Sequence, residues 1–229
     1  FHPDLAAWLR HNGCHDKMAG IAAGKTLTVE WAVAQLAHPH ETDSGDQYTA
    51  LPLPGGLLLA VIDGLGHGAR AAAAARLAAA ALSDQPSADL NALVARCHAA
   101  LAGTRGVVMT LAALDAERGA LAWLGIGNVT GVLVHPGHHP QDPKREHLHL
   151  RGGVVGYNLP QPRAFSANLV PGDVLVLATD GIHSGFTDDI SAWQPAQTIA
   201  DHILAQHGRG SDDALVLVAV CRAPQPAPR

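Results

Sequence analysis

Apolar positions along the chain switch between two periods. From Thr26, alternate residues Leu27, Val29, Trp31 and Val33 are apolar, the spacing of one face of a strand. Gln47 to Leu53 predicts a second short strand, Pro54-Gly55-Gly56 a turn, and Leu57-Leu58-Leu59-Ala60-Val61-Ile62 a strand buried on both faces. The period then lengthens. Ala69 to Leu82 is nearly all alanine, interrupted by Arg70 and Arg76, and predicts a helix able to approach a sheet closely. After Ser87, the residues Leu90, Leu93, Val94, Cys97 and Leu101 recur on one face of a second helix. Val107 to Leu114, a turn over 115–119, Ala120 to Ile126 and Val129 to Val134 predict a meander of strands. His135 to Arg145 reads as a polar loop rich in His and Pro. Val174 to Ala178 is another apolar strand. Pro195 opens a helix with Ile199, Ile203 and Leu204 on one face, Gly208 ends it, and Ala214 to Val220 is the last strand.

This order lacks strict βαβ alternation, which argues against a doubly wound parallel sheet. An α+β fold of two mainly antiparallel sheets with helices packed outside them fits better. Residues 1–24 stand apart: Leu5, Trp8 and Leu9 share a helical face, and the segment is then polar through Gly24. It reads as an appended helix or the remnant of an upstream region. The expected domain is 25–222, with a disordered Pro-rich tail over 223–229. Phe1 stands where a start Met would, so an upstream start is expected. No internal repeat is visible.

Composition narrows the functional classes. With 229 residues, 48% hydrophobic, the chain can bury a sizeable core. A formal net charge of −5 gives no electrostatic reason to expect nucleic acid or an anionic membrane as partner. No stretch approaches the roughly 20 apolar residues that span a bilayer. Cys14, Cys97 and Cys221 are an odd count without a CxxC pair, the pattern of free thiols in a reducing compartment, so a cytoplasmic location is expected.

Four acidic residues share one context. Asp46 opens a strand, Asp63 and Asp180 each end an apolar strand and precede glycine, and Asp212 stands just before the strand that begins at Ala214. A single Asp-Gly after a strand is most often a plain turn, and Asp212-Asp213 after Gly210-Ser211 equally suits a solvated turn. The set points further. Strand ends at one edge of a sandwich can converge, and converging carboxylates repel one another unless a cation compensates. Hard divalent ions such as Mg²⁺ or Mn²⁺ prefer such oxygen ligands, and no Cys or His near these positions has zinc-like spacing. Two such ions about 3.5–4 Å apart lower the pKa of a shared water and neutralise phosphate, chemistry suited to in-line attack on a phosphomonoester.

Gly45-Asp46, Val61-Ile62-Asp63-Gly64-Leu65-Gly66-His67-Gly68, Ala178-Thr179-Asp180-Gly181 and Ser211-Asp212-Asp213 resemble the ordered motifs of the PPM-type protein phosphatases. The Gly-His-Gly form before an Ala-rich helix is similar to the bacterial SpoIIE-like branch. Within it, Gly125-Ile-Gly-Asn-Val129 and Gly152-Gly-Val-Val-Gly156 resemble the RsbX-type phosphatases of stress signalling. The resemblance covers about 27–221. It implies an αββα sandwich with a two-metal site, holding Mn²⁺ or Mg²⁺, at one end. Asp46, Asp63 and the Gly64 carbonyl would serve one ion. Asp63, Asp180 and Asp212 would serve the other, with Asp63 bridging and Asp213 in support. It implies a serine/threonine phosphoprotein phosphatase whose substrates would be STAS-domain stressosome or anti-anti-sigma proteins. Larger family members carry an N-terminal Arg that grips phosphate, and no counterpart lies between Thr26 and Asp46. Their Asp-Gly-His-Gly histidine is displaced here to His67, four residues beyond Asp63. A phosphoprotein-binding regulator without turnover is the alternative function, and a structural subunit a third.

Other features admit two readings each. Gly66-His67-Gly68 suits an anion site at a helix start or a tight lead-in to the helix. Arg70 and Arg76 suit phosphate, a partner or solvent. His135, His138, His139, His147 and His149 read as part of a solvated stretch, without the spacing of a metal site. Gly152 to Gly156 reads as a mobile flap or an inert glycine loop. It and the stretch from His183 to Trp193 are the expected recognition segments for a folded substrate. The substrate and oligomeric state stay open.

Overall fold

A computed structural model describes residues 19–39, 41–136, 144–188, 190 and 193–224. In chain order the elements are β1 (Ala19–Ala23), β2 (Thr28–Leu36), β3 (Asp46–Leu53), β4 (Gly56–Gly64), α1 (Ala69–Asp84), α2 (Leu90–Ala100), β5 (Val107–Asp115), β6 (Ala120–Ile126), β7 (Thr130–His135), β8 (Lys144–His147), β9 (Phe165–Asn168), β10 (Val174–Ala178), α3 (Ala196–His207) and β11 (Ala214–Arg222). One sheet has the order β1-β2-β11-β10-β7-β8 and the other β3-β4-β5-β6-β9. Every pairing between these strands is antiparallel.

Three apolar layers explain why the longest strands read as continuous runs. Leu59 and Val61 of β4 meet Val33, Leu175 and Leu217 of the opposite sheet in the central layer. The other face of β4, Leu58 and Ile62, packs against Ala74, Ala75 and Ala78 of α1 and Leu93 and Cys97 of α2. On the far side α3 sets Ile199 and Ile203 against Val174, Val176, Val216 and Val218. The architecture is the expected αββα sandwich. Each fully buried aliphatic side chain in these layers contributes about 1.5–3 kcal/mol.

The alternation in β2 conceals a second buried face. Leu27, Val29 and Val33 face the central layer as expected, but Ala32 and Ala34 are also buried, under α3. Small residues there let the helix sit close, and their weak hydrophobicity hid the face. Three short strands went unread: β1, β8 and β9. Both β1 and β8 are sheet edges, and β8 is the polar Lys-Arg-Glu-His, beginning within the expected loop. Residues Ala19–Ala23, set apart with the N-terminal segment, pair in register with Thr28–Ala32. Leu5, Trp8, Leu9, Cys14, His138 and His139 lie outside the described residues, as do residues 225–229 of the tail. Cys97 and Cys221 are buried free thiols, pushed by burial up to about 11 and about 12. Among the described residues no helix is long and apolar enough to cross a membrane.

Candidate active site

The site starts with a register. β3 and β4 pair so that Asp46 stands directly opposite Asp63 at one end of their sheet. Gly64 follows because α1 passes close by: a methyl group there would lie 2.2 Å from the Ala71 carbonyl oxygen. The opposite sheet delivers Asp180 just past β10 and Asp212-Asp213 just before β11. Gly181 brings these two segments together, since a methyl group on it would lie 2.0 Å from the Asp213 carbonyl oxygen. Asp46, Asp63, Asp180, Asp212 and Asp213 line one cleft of about 440 Å³, with Leu65, Gly66, His67, Val108, Gly127, Asn128 and Gly152. The strand-end aspartates read from the sequence therefore converge from both sheets.

Each carboxylate has a distinct environment. Asp46 is buried and accepts a 2.7 Å hydrogen bond from the Thr179 hydroxyl. Asp63 is half-buried, while Asp180 and Asp212 are exposed. The Asn128 amide donates to Asp180 Oδ2 at 2.8 Å. Asp213 is buried and accepts from two backbone groups, His38 N–H at 2.8 Å and Gly45 N–H at 2.9 Å. It thereby ties the segment leading into Asp46 to the start of β11. Asp212 Oδ1 accepts from the Asp213 N–H at 2.9 Å.

Electrostatics follow from this crowding. Burial first, then the charge of Asp63, pushes the Asp46 carboxyl well above the usual range. Asp213 and Asp180 add to this, and the Thr179 hydrogen bond opposes it. Burial, then Asp180, Asp212 and Asp213, raises Asp63 to about 7. Among the described residues no cationic side chain forms an ion pair with any of the five aspartates. Among the described residues the site is thus a concentration of negative charge with no cation paired to it. Among the described residues no three Asp, Glu, His or Cys side chains stand close enough to enclose one ion by themselves. That is compatible with a hard cation, because Mg²⁺ keeps several waters in its shell. The donor set is all oxygen, as such an ion requires.

The rim is also defined. His67 Nδ1 lies 3.0 Å from Glu41 Oε1, and its ring stacks on His38 with centroids 5.3 Å apart. The Gly152–Gly156 segment combines parts of both its readings. Gly152 borders the cleft, yet Val107 and Val155 exchange 2.9 Å backbone hydrogen bonds and the Gly156 N–H donates to His98 Nδ1 at 2.9 Å. It is an anchored wall, with Val155 fully buried. Sequence reading gave no role to Asn128 or Thr179, although both lie within quoted motifs. Each is a short polar residue beside a motif Gly or Asp, the only local signal of its hydrogen bond. His135, set among the solvated residues, contacts buried Asp173 at 2.9 Å and Glu146 at 3.4 Å, remote from the cleft lining.

Comparison with known proteins agrees with this geometry. Residues 54–222 match the family described as stage II sporulation protein E (SpoIIE). A curated relative, the phosphoserine phosphatase RsbX of Bacillus subtilis (strain 168), is 24% identical over 156 residues, 68% of this chain and 75% of its own. A chain from a structural study of the bacterial stressosome, a modular system adapted to control secondary messenger signalling, is 28% identical. It overlays at a TM-score of 0.75 across 83% of this chain and all but 2% of its own, a coverage of 98%. RsbX crystallised with magnesium shares the fold at 18% identity, with a TM-score of 0.76 over 89% of this chain and 100% of that one. The match spans most of the sandwich and includes three of the four aspartate motifs, so the chain belongs to the SpoIIE family of PPM-type phosphatase domains.

Proposed function

We propose that the chain is a metal-dependent serine/threonine phosphoprotein phosphatase of the cytoplasm. Its substrate is a phosphorylated signalling protein, a STAS-domain component of a stressosome or an anti-anti-sigma protein. The observation that carries the chemistry is the register pairing of Asp46 with Asp63 in an uncompensated acidic cleft. The partner class rests on the likeness to RsbX and to the stressosome chain. The proposed domain is 25–222, and β1 (Ala19–Ala23) joins the edge of its sheet.

The residues fit two divalent ions, Mn²⁺ or Mg²⁺. Asp46, Asp63 and the Gly64 carbonyl would serve one, and Asp63, Asp180 and Asp212 would draw in around the other, with Asp63 common to both sets and water completing each shell. When bound, such ions supply an acidified water and neutralise phosphate charge. The chain's own groups prepare for them. The Thr179 hydroxyl fixes Oδ2 of Asp46, and the Asn128 amide fixes Oδ2 of Asp180. Asp213 holds the Gly45 backbone, and so Asp46, in place. Burial and mutual repulsion raise both the Asp46 and Asp63 carboxyls, and a bound cation would relieve that repulsion and favour their ionised forms. The test is incubation of serine-phosphorylated STAS protein with enzyme and Mn²⁺, reading phosphate loss by intact mass. Absence of metal-dependent loss from any STAS substrate offered, while a small phosphate ester is hydrolysed, removes the partner assignment. Failure on both substrates removes the activity.

A further inference from the structure

A dianionic phosphate monoester must enter a cleft walled by five carboxylates, and one side chain beside that cleft is suited to receive it. Arg105 sits in the turn between α2 and β5. The turn is pinned on both sides: the Thr104 N–H and hydroxyl donate to the Leu101 carbonyl at 3.0 and 2.7 Å, and the Gly106 N–H donates back to the Thr104 hydroxyl at 3.0 Å. The Gly106 carbonyl accepts from the Leu65 N–H at 3.2 Å, next to the cleft-lining Gly66. Gly106 is at φ +81°, and a methyl group there would lie 2.5 Å from Val154 Cγ1, so the turn is wedged against the anchored 152–156 wall.

The guanidinium itself reaches over Gly66. A methyl group on Gly66 would lie 2.8 Å from Arg105 Nη1, so the guanidinium stands directly over this glycine, whose φ of +87° calls for glycine on backbone grounds. Arg105 is exposed and, among the described residues, forms no hydrogen bond or ion pair through its side chain. It is therefore not spent on balancing the aspartates. Arg118, by contrast, is tied to Asp115, away from the cleft. A planar fork of N–H donors beside the cleft-lining Gly66 matches the oxygens of a phosphoryl group, and a point charge such as lysine matches them less well.

We infer that Arg105 contacts the phosphoryl group of the substrate, setting affinity for phosphate monoesters in the SpoIIE-type cleft. The inference rests on the phosphatase reading above. It is tested by two measurements on wild type, R105A, R105K and the distant control R118A, all with saturating Mn²⁺. One is calorimetric binding of inorganic phosphate, and the other is turnover of p-nitrophenyl phosphate. Loss of a charge-assisted contact weakens binding by about 10- to 100-fold. R105A is expected to bind phosphate weaker by about that factor and to raise KM, R105K to fall between, and R118A to match wild type. Because Arg105 is exposed and unpaired, melting temperatures should stay together. Phosphate affinity in R105A within twofold of wild type overturns the inference even if turnover persists, and the phosphatase reading then stands. The tenfold affinity loss without turnover in any variant supports the inference and sinks the phosphatase reading. A wild type that neither binds phosphate nor turns over the ester overturns both.

Discussion

Replacing Asp63 with Asn is expected to stabilise the metal-free protein at neutral pH and to abolish its response to metal. Burial, with the charges of Asp180, Asp212 and Asp213, raises this carboxyl from 3.8 to about 7. Between those values the folded protein holds a proton that the unfolded chain has released. Stability is therefore greatest below the unfolded value and is lost as pH rises through about 7. At 1.36 kcal/mol per pKa unit the loss reaches about 4 kcal/mol at most, and less because solvent reaches this half-buried group. Asparagine cannot ionise, so the variant escapes the loss and also relieves Asp46 of its nearest charge. One kcal/mol moves the midpoint of a domain this size by about 2–4 °C, so the variant should melt about 5–10 °C above wild type near pH 8 in EDTA and converge with it near pH 4. Manganese should invert the order: wild type gains about 2.7 kcal/mol at a hundredfold excess over Kd, and the variant little. Thermal melts over this pH range, with chelator and with Mn²⁺, give all four curves. A variant less stable than wild type at pH 8 in EDTA, or equal stabilisation of both by Mn²⁺, refutes the reasoning.

Asp213→Asn should act through folding. Its two oxygens accept from the His38 and Gly45 N–H groups, and an amide NH₂ facing one of them costs about 1–3 kcal/mol, visible in denaturant midpoints, while turnover with metal falls less than in Asp63→Asn. Tyr157, 82% exposed beside the anchored 152–156 wall, should help seat a folded substrate. Tyr157→Ser should lower kcat/KM for a phosphorylated STAS protein several-fold and leave a small ester unchanged, and equal effects on both would place Tyr157 outside recognition. Val155→Gly cannot serve that purpose, because Val155 lies fully buried with Leu58 and Ile62 and its truncation should cost about 2–4 kcal/mol in a thermal melt.

Much of this fold was legible because burial on two faces leaves a strong trace. Leu57 to Ile62 and Ala214 to Val220 are apolar throughout, and the Ala-rich helix can only be a close-packed one. The edge strands left no such trace: Lys144–His147 is polar because its face is solvated, and pairing to β7 depends on backbone groups that sequence periodicity does not register. The site divides the same way. The aspartates were found from their place at the ends of apolar strands, which is a local feature. Thr179 bonding Asp46, Asn128 bonding Asp180 and Arg105 lying over Gly66 are contacts between segments far apart in the chain, so nothing local announces them. The anchors of 152–156, Val107 and His98, are likewise distant in the chain.

Removal of phosphate from a protein by this cleft with divalent metal is open to direct test. The direct measurement is phosphate release from a serine-phosphorylated STAS protein by chain dialysed exhaustively against EDTA, before and after restoring Mn²⁺, with metal content verified by elemental analysis. The account predicts no release from the stripped protein, release on adding Mn²⁺, and none from Asp63→Asn in either state. Full release by verified metal-free protein, or by Asp63→Asn, would contradict it.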